Sequence, residues 1–127
     1  RPGSSSMFMP EKSNFDIHNI KQKDYSLFDI TKTLDVETDT LSNSLNKIGI
    51  NSLDYIKLDT QGSELEILKG INDFRPLIVR IEIQIFSMYK DTPKWTKVVD
   101  YLNDLGYLIC DWRGIGSHSI NSQHKRD

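Results

Sequence analysis

The chain has 127 residues, 37% hydrophobic and 27% charged, with a formal net charge of -2. These totals fit one ordinary globular domain and exclude a disordered or collagenous chain. The lysines and arginines are scattered, which excludes the basic patch that a nucleic acid or an anionic membrane surface would need.

The single cysteine, Cys110, has no second thiol to bridge to, and its apolar neighbours suggest a small core residue. No apolar run reaches the ~18 to 20 residues of a spanning helix, and Arg1 to Phe15 has no signal-peptide core, so a cytoplasmic location is expected. The opening Arg1-Pro2-Gly3 lacks an initiator Met and the end at Asp127 lacks a closing turn. Both termini read as cuts in a longer polypeptide.

Along the chain, residues 1–26 are rich in Ser, Asn, Lys and Asp and read as loop, 27–113 as an α/β core, and 114–127 give no assignment. Leu34 and Val36 alternate with polar residues from Lys32 to Thr38, which suggests a short strand. Leu41, Leu45 and Ile48 at helical spacing suggest a helix stopping at Gly49. Asp54 to Asp59 reads as a brief strand, halted by Thr60-Gln61-Gly62.

A helix from Ser63 to Lys69 follows, with Gly70 as its stop. Ser63 and Glu66 have the spacing of a capping box, in which each side chain bonds an orphan amide of the first turn. Pro76 to Phe86 puts Leu77, Val79, Ile81, Ile83 and Ile85 on one face and Ile78, Arg80, Glu82, Gln84 and Phe86 on the other, the strongest strand pattern present. Pro93 opens a helix with Trp95, Val98, Val99, Leu102 and Leu105 on its apolar face, ending at Gly106. Tyr107 to Trp112 reads as a last strand. Such alternation predicts βαβ units and a mostly parallel sheet of three or four strands, covered by helices on both faces. One sheet edge would stay unpaired, which leaves a homo-oligomer open.

Ligands in open α/β sheets bind beyond the carboxyl ends of the strands, so Asp59 is the first chemical candidate. Asp59 is suited to orient a substrate hydroxyl or accept its proton, with Gln61 and Glu64 as hydrogen-bonding neighbours. The plainer reading is that Glu64 and Glu66 only complement the helix dipole. Glu82 is either a second acid in the same crevice or the partner of Arg80 or Lys57 in an ion pair. Tyr89, Trp95 and Trp112 could stack on a sugar or adenine, although Trp95 also fits the apolar face of its helix. Three carboxylates at Asp59, Glu64 and Glu82 could hold a hard cation, but no metal-loop spacing supports it, and His18, His118 and His124 stand alone. Neither GxGxxG nor GxxxxGK[ST] occurs.

The string Leu58-Asp59-Thr60-Gln61-Gly62-Ser63-Glu64-Leu65-Glu66-Ile67-Leu68-Lys69-Gly70 resembles the signature of FkbM-type methyltransferases. That signature is an acidic residue ending a strand, then Glu or Gln, Gly, a small residue and Glu, and a short helix closing in Lys-Gly. The likeness continues through Ile81-Glu82-Ile83-Gln84, Met88-Tyr89 and Leu105-Gly106-Tyr107, and backward through Val36 to Leu41 and Gly3 to Ser6. It implies the C-terminal portion of a single methyltransferase domain with a partial Rossmann-like class I fold, whose glycine-rich cofactor loop lies upstream.

It also implies S-adenosylmethionine as cofactor and a hydroxyl of a sugar, glycan or small metabolite as acceptor. By the same resemblance Asp59 and Glu82 are catalytic, Asp59, Gln61 and Gly62 face the cofactor, and Glu64, Tyr89, Ser5 and Ser6 face the acceptor. No metal is implied. A non-catalytic α/β module that binds a glycan or a protein at the same crevice is the competing expectation.

Overall fold

A computed structural model describes residues 6–17 and 20–113. Its regular elements are α1 (Leu41–Lys47), β1 (Tyr55–Leu58), α2 (Glu64–Lys69), β2 (Ile78–Ile81) and α3 (Trp95–Asp104), preceded by two 3-10 turns at Lys12–Asn14 and Gln22–Phe28. β1 and β2 pair in parallel, with Tyr55 beside Ile78, Ile56 beside Val79, Lys57 beside Arg80 and Leu58 beside Ile81. The architecture is α/β with a parallel sheet, as expected. The sheet has two strands among the described residues rather than three or four.

Period-two alternation sorts each strand into a core face and an open face. Ile56 and Leu58 are buried while Tyr55 and Lys57 are exposed, and Val79 and Ile81 pack inward while Ile78 and Arg80 point out. Against the inner face lie Leu65 and Leu68 of α2, Ile71 just after it, and Val98 of α3. The helices therefore cover one face of the described sheet, not both.

The helix boundaries follow their local chemistry. Thr40 caps α1 by accepting the Asn43 amide at 3.2 Å. Gly70 ends α2 with an ordinary φ of -77°, so it is not a left-handed stop. Its value is size: a Cβ there would stand 3.4 Å from Thr40 Cβ, where the Gly70 carbonyl accepts the Ser42 amide at 3.0 Å. α1 is thereby docked onto the end of α2.

Three strand expectations are corrected. Lys32 to Thr38 forms no strand, and Leu34 and Val36 are left exposed. Tyr107 to Trp112 likewise forms none, although the Tyr107 hydroxyl anchors it by donating to the Pro76 carbonyl at 2.6 Å. Pro76 to Phe86 keeps only Ile78–Ile81 as strand. The reason is common to all three: alternation specifies a face, but a strand also needs a neighbour for its amides and carbonyls, and no third strand flanks them among the described residues.

Cys110 is exposed rather than part of the core, because it belongs to that unpaired segment. The loop-rich segment, by contrast, holds the one fully buried large side chain among the described residues: Phe15 packs against Tyr25 and Phe28 at centroid distances of 5.1 and 4.6 Å. No helix among the described residues is long and apolar enough to cross a membrane.

Leu68, 3% exposed at the centre of the core, is the sharpest probe of this packing. Leu68→Ala is expected to destabilise the fold by about 3 kcal/mol, within the range for cavity-forming substitutions, as read by urea denaturation.

Candidate active site at the strand ends

The register of the sheet builds this site. Lys57 and Arg80 sit side by side on the open face, a like-charge pair that is unfavourable unless answered. Asp59 answers it, accepting a hydrogen bond from Lys57 Nζ at 2.8 Å. The ladder runs one step beyond the strands, where the Glu82 amide donates to the Leu58 carbonyl at 2.9 Å. Asp59 and Glu82 are thus neighbours at the carboxyl ends of the pair.

Glu82 stands beside Asp59 and does not make the ion pair that the plainer reading gave it. Among the described ion pairs Lys57 is engaged with Asp59, and Glu82 pairs with neither Lys57 nor Arg80. The two carboxyls then titrate apart. The Lys57 ammonium bound to Asp59, aided by hydrogen bonds from Glu82 and Gln61, holds its carboxyl below the usual aspartate value against some desolvation. Glu82 is raised, first by desolvation and then by the adjacent Asp59 charge and hydrogen bond. The two carboxyls are thus pushed apart, Asp59 toward its ionised form and Glu82 toward its protonated one.

Glu64 has a different place from the one its helix position suggests. It is buried, and its Oε1 accepts the Thr60 amide at 2.8 Å and the Thr60 hydroxyl at 3.0 Å, while its Oε2 accepts the Gly62 amide at 3.0 Å. The carboxylate folds back into the β1–α2 loop and fixes its shape. The capping box is corrected here: Ser63, with φ -92° and ψ 4° in place of the extended backbone of a capping residue, makes no side-chain cap bond, and Glu66 instead pairs with Lys69 at 2.8 Å.

The loop so held is tight. Gln61 and Gly62 have φ of 58° and 118°, left-handed conformations that Gly62 reaches without cost and Gln61 does not. A Cβ on Gly62 would lie 2.5 Å from Thr92 Cγ2 and 3.0 Å from the Phe8 ring. The glycine is needed both for its backbone angle and for its lack of a side chain.

Phe8 belongs to a strap from the N-terminal segment that crosses the site. Its hold is a bridge between Pro10 and Tyr89, with the Glu11 amide donating to the Met88 carbonyl and the Lys90 amide to the Met9 carbonyl, each at 2.8 Å. Ser6 Oγ donates to the Gln61 carbonyl at 2.9 Å and accepts the Phe8 amide at 3.0 Å. Ser6 therefore does lie at the strand-end loop, whereas Ser5 is outside the described residues. Tyr89 is buried beneath the strap, its phenol raised by that burial.

Between these parts runs a narrow cleft of about 30 Å³, lined by Gly62, Glu64, Glu82, Gln84, Thr92 and Trp95 among others. Trp95 meets Trp112 edge to face at 5.7 Å. Among the described residues no group of three or more His, Cys, Asp or Glu side chains is arranged around a metal position. Sequence reasoning missed two contributors, Lys57 as the partner of Asp59 and Gln84 as a lining residue. The signal for the first was present, since residues 57 and 59 share one face of a strand.

The Methyltransferase FkbM domain matches the chain over residues 4–109. The chain belongs to this family. No curated protein and no solved structure matches it. The FkbM match spans the strap, both strands and all three helices, so Asp59, Glu82 and the loop between β1 and α2 all lie inside a methyltransferase domain.

Two outcomes follow from this geometry. Gly62→Ala is expected to cost about 2 kcal/mol or more through the left-handed φ and the clash with Thr92 and Phe8, measured as a fall in unfolding free energy. Lys57→Met is expected to raise the titration midpoints of both Asp59 and Glu82, since the ammonium lowers each of them; carboxyl carbon NMR would read both at once.

Proposed function

We propose that the chain takes part in methyl transfer from S-adenosylmethionine to a hydroxyl of a sugar, glycan or small metabolite, with the acceptor at the carboxyl ends of β1 and β2. The observation that carries this reading is the pairing of Asp59 and Glu82 with their carboxyls pushed in opposite directions, inside a methyltransferase domain. The parallel pair and its helices are compatible with part of a Rossmann-like class I sheet, in which strand ends are where ligands collect.

The fit to the cofactor is partial. Pockets for ligands of this size run to roughly 300 Å³ or more, and the clefts of about 30 and 10 Å³ among the described residues do not enclose one. Asp59, Gln61 and Gly62 would supply one polar rim. When bound, S-adenosylmethionine supplies an electrophilic methyl group.

The chain's own residues handle the acceptor. Asp59, held by Lys57, accepts a hydrogen bond from a hydroxyl of the acceptor beside the reacting one and so aims the attacking oxygen, which is the alignment that dominates in-line displacements. Glu82, with its raised carboxyl, receives the proton as the oxygen loses it. Glu64 keeps the loop closed behind them, and Ser6 and Tyr89 shape the rim toward the acceptor.

The test is transfer of an isotopically labelled methyl group by the full chain to a panel of hydroxylated acceptors. Glu82→Gln is expected to lower kcat about 100-fold or more, as for loss of a general base, and Asp59→Asn to reduce transfer at least as far. Glu82 is raised, so the unsubstituted rate should climb with pH through a midpoint above the ordinary glutamate value, and Glu82→Gln should lose that limb. Acceptor binding with no transfer under any condition would favour the non-catalytic binding module.

A further inference from the structure

Two glutamines connect the strand-end carboxylate to the backbone of the loop after β2. Gln61 Nε2 donates to Asp59 Oδ1 at 3.3 Å. Gln61 Oε1 accepts from Gln84 Nε2 at 3.0 Å. Gln84 Oε1 in turn accepts the Met88 amide at 3.2 Å.

A side-chain amide can turn over and exchange its donor and acceptor ends, so a lone glutamine carries no fixed polarity. This chain of bonds removes that freedom from both ends. A backbone N–H can only donate, so Gln84 must present its oxygen to Met88 and its nitrogen to Gln61. Gln61 must then offer its oxygen to Gln84, which leaves its nitrogen for Asp59. An ionised carboxylate can only accept, so the far end agrees with the near one. Reversing either amide would set oxygen against oxygen or N–H against N–H at two contacts.

The fixed end is itself held. The Met88 carbonyl accepts the Glu11 amide at 2.8 Å, and Lys90 bonds Met9 at the same distance, so the strap clamps the residue from which the polarity starts. The Gln61 backbone sits at φ 58° with its carbonyl taken by Ser6, which limits where the side chain can reach.

We propose that Gln84 is a positioning residue: acting through Gln61, it fixes the amide orientation in which Gln61 donates to Asp59. Gln84 does not touch Asp59. Its effect travels by the amide of Gln61 alone, which separates it from a residue that simply packs nearby. The proposal rests on reading Asp59 as the site carboxylate, but its bonding and its test need no methyl transfer, so either can fail without the other.

The test is a double-mutant cycle read on the Asp59 carboxyl by carbon NMR titration of the full chain. All substitutions are to Met, so the charges that face the carboxyl, those of Lys57, Glu82 and the nearby Glu64, are unchanged. Gln84→Met is expected to shift the Asp59 midpoint upward, because Gln61 loses its enforced orientation, and Gln61→Met to shift it upward also. The double variant should show no further shift beyond Gln61→Met. An unmoved midpoint in Gln84→Met, or an equal shift in the presence and absence of Gln61, overturns the proposal.

A second measurement needs no substitution. Through-space proton contacts should connect the Gln61 Nε2 protons to Asp59 and the Gln84 Nε2 protons to the Gln61 side chain. Contacts from the Gln61 Nε2 protons to the Gln84 side chain in place of Asp59 would mean the reverse orientation and would equally overturn it.

Discussion

The parallel register of β1 on β2 is the constraint on which the rest of the molecule depends. With Ile56 beside Val79 and Leu58 beside Ile81, four apolar side chains face the same helices. A slip of one residue in either strand would turn its apolar set outward and bring Lys57 or Arg80 into the core, where an unpaired charge is prohibitive. The core therefore defends the register strongly. Because side chains alternate, the same register also decides what stands on the open face: the two cations in the middle and, one step on, Asp59 beside Glu82. The site is a by-product of the packing that stabilises the fold, and it inherits the precision of that packing.

The second constraint is the turn that ends β1. A chain leaving a strand to begin a six-residue helix on the core face must reverse within a few residues, and here it does so through two left-handed residues, Gln61 and Gly62. Such a turn points several amides at one spot, which is unstable without an acceptor. Glu64 supplies both oxygens to it from the first turn of α2. Burying the carboxylate would otherwise be costly, but three donors replace its lost water. Strand end, turn and helix start are thus a single unit, which explains why the recognisable sequence string runs unbroken from Leu58 to Gly70.

Much of this was legible in the residues alone, for a physical reason. β1, α2, α3 and α1 have local determinants: alternation, helical spacing, a threonine cap, glycines after the last turn. The strand-end position of Asp59 was legible because the alternation of β1 stops at the turn formed by Thr60, Gln61 and Gly62. The failures all concern partners. Leu34 and Val36 alternate with polar residues and Leu108 and Ile109 stand in an apolar run, yet all four are exposed, since no pattern within a segment says what will lie next to it. Cys110 failed with its segment. Ser63 has capping-box spacing, yet its backbone does not take the extended conformation that a capping side chain needs. Phe15, Tyr25 and Phe28 lie in a stretch without periodicity, so their cluster could be seen only in three dimensions. Gln84 was read as a member of a strand face and of the family-like string, with no bond assigned to it, because its contacts depend on which way two amides point.

The opposed titrations of Asp59 and Glu82 connect stability to chemistry. Asp59 is depressed, so it contributes stability above its unfolded value and loses it as pH falls through its folded one. Glu82 is raised, so its contribution is present below the unfolded value and is lost as pH rises through the folded one. A proton on Glu82 relieves its desolvation and its repulsion with Asp59, whereas a proton on Asp59 weakens its bond to Lys57. Two carboxyls of the same chemical class, side by side on one strand pair, are thereby pushed in opposite directions by a single lysine on one of them and by partial desolvation of the other. The division needs no residue outside the two strand ends and the loop between them.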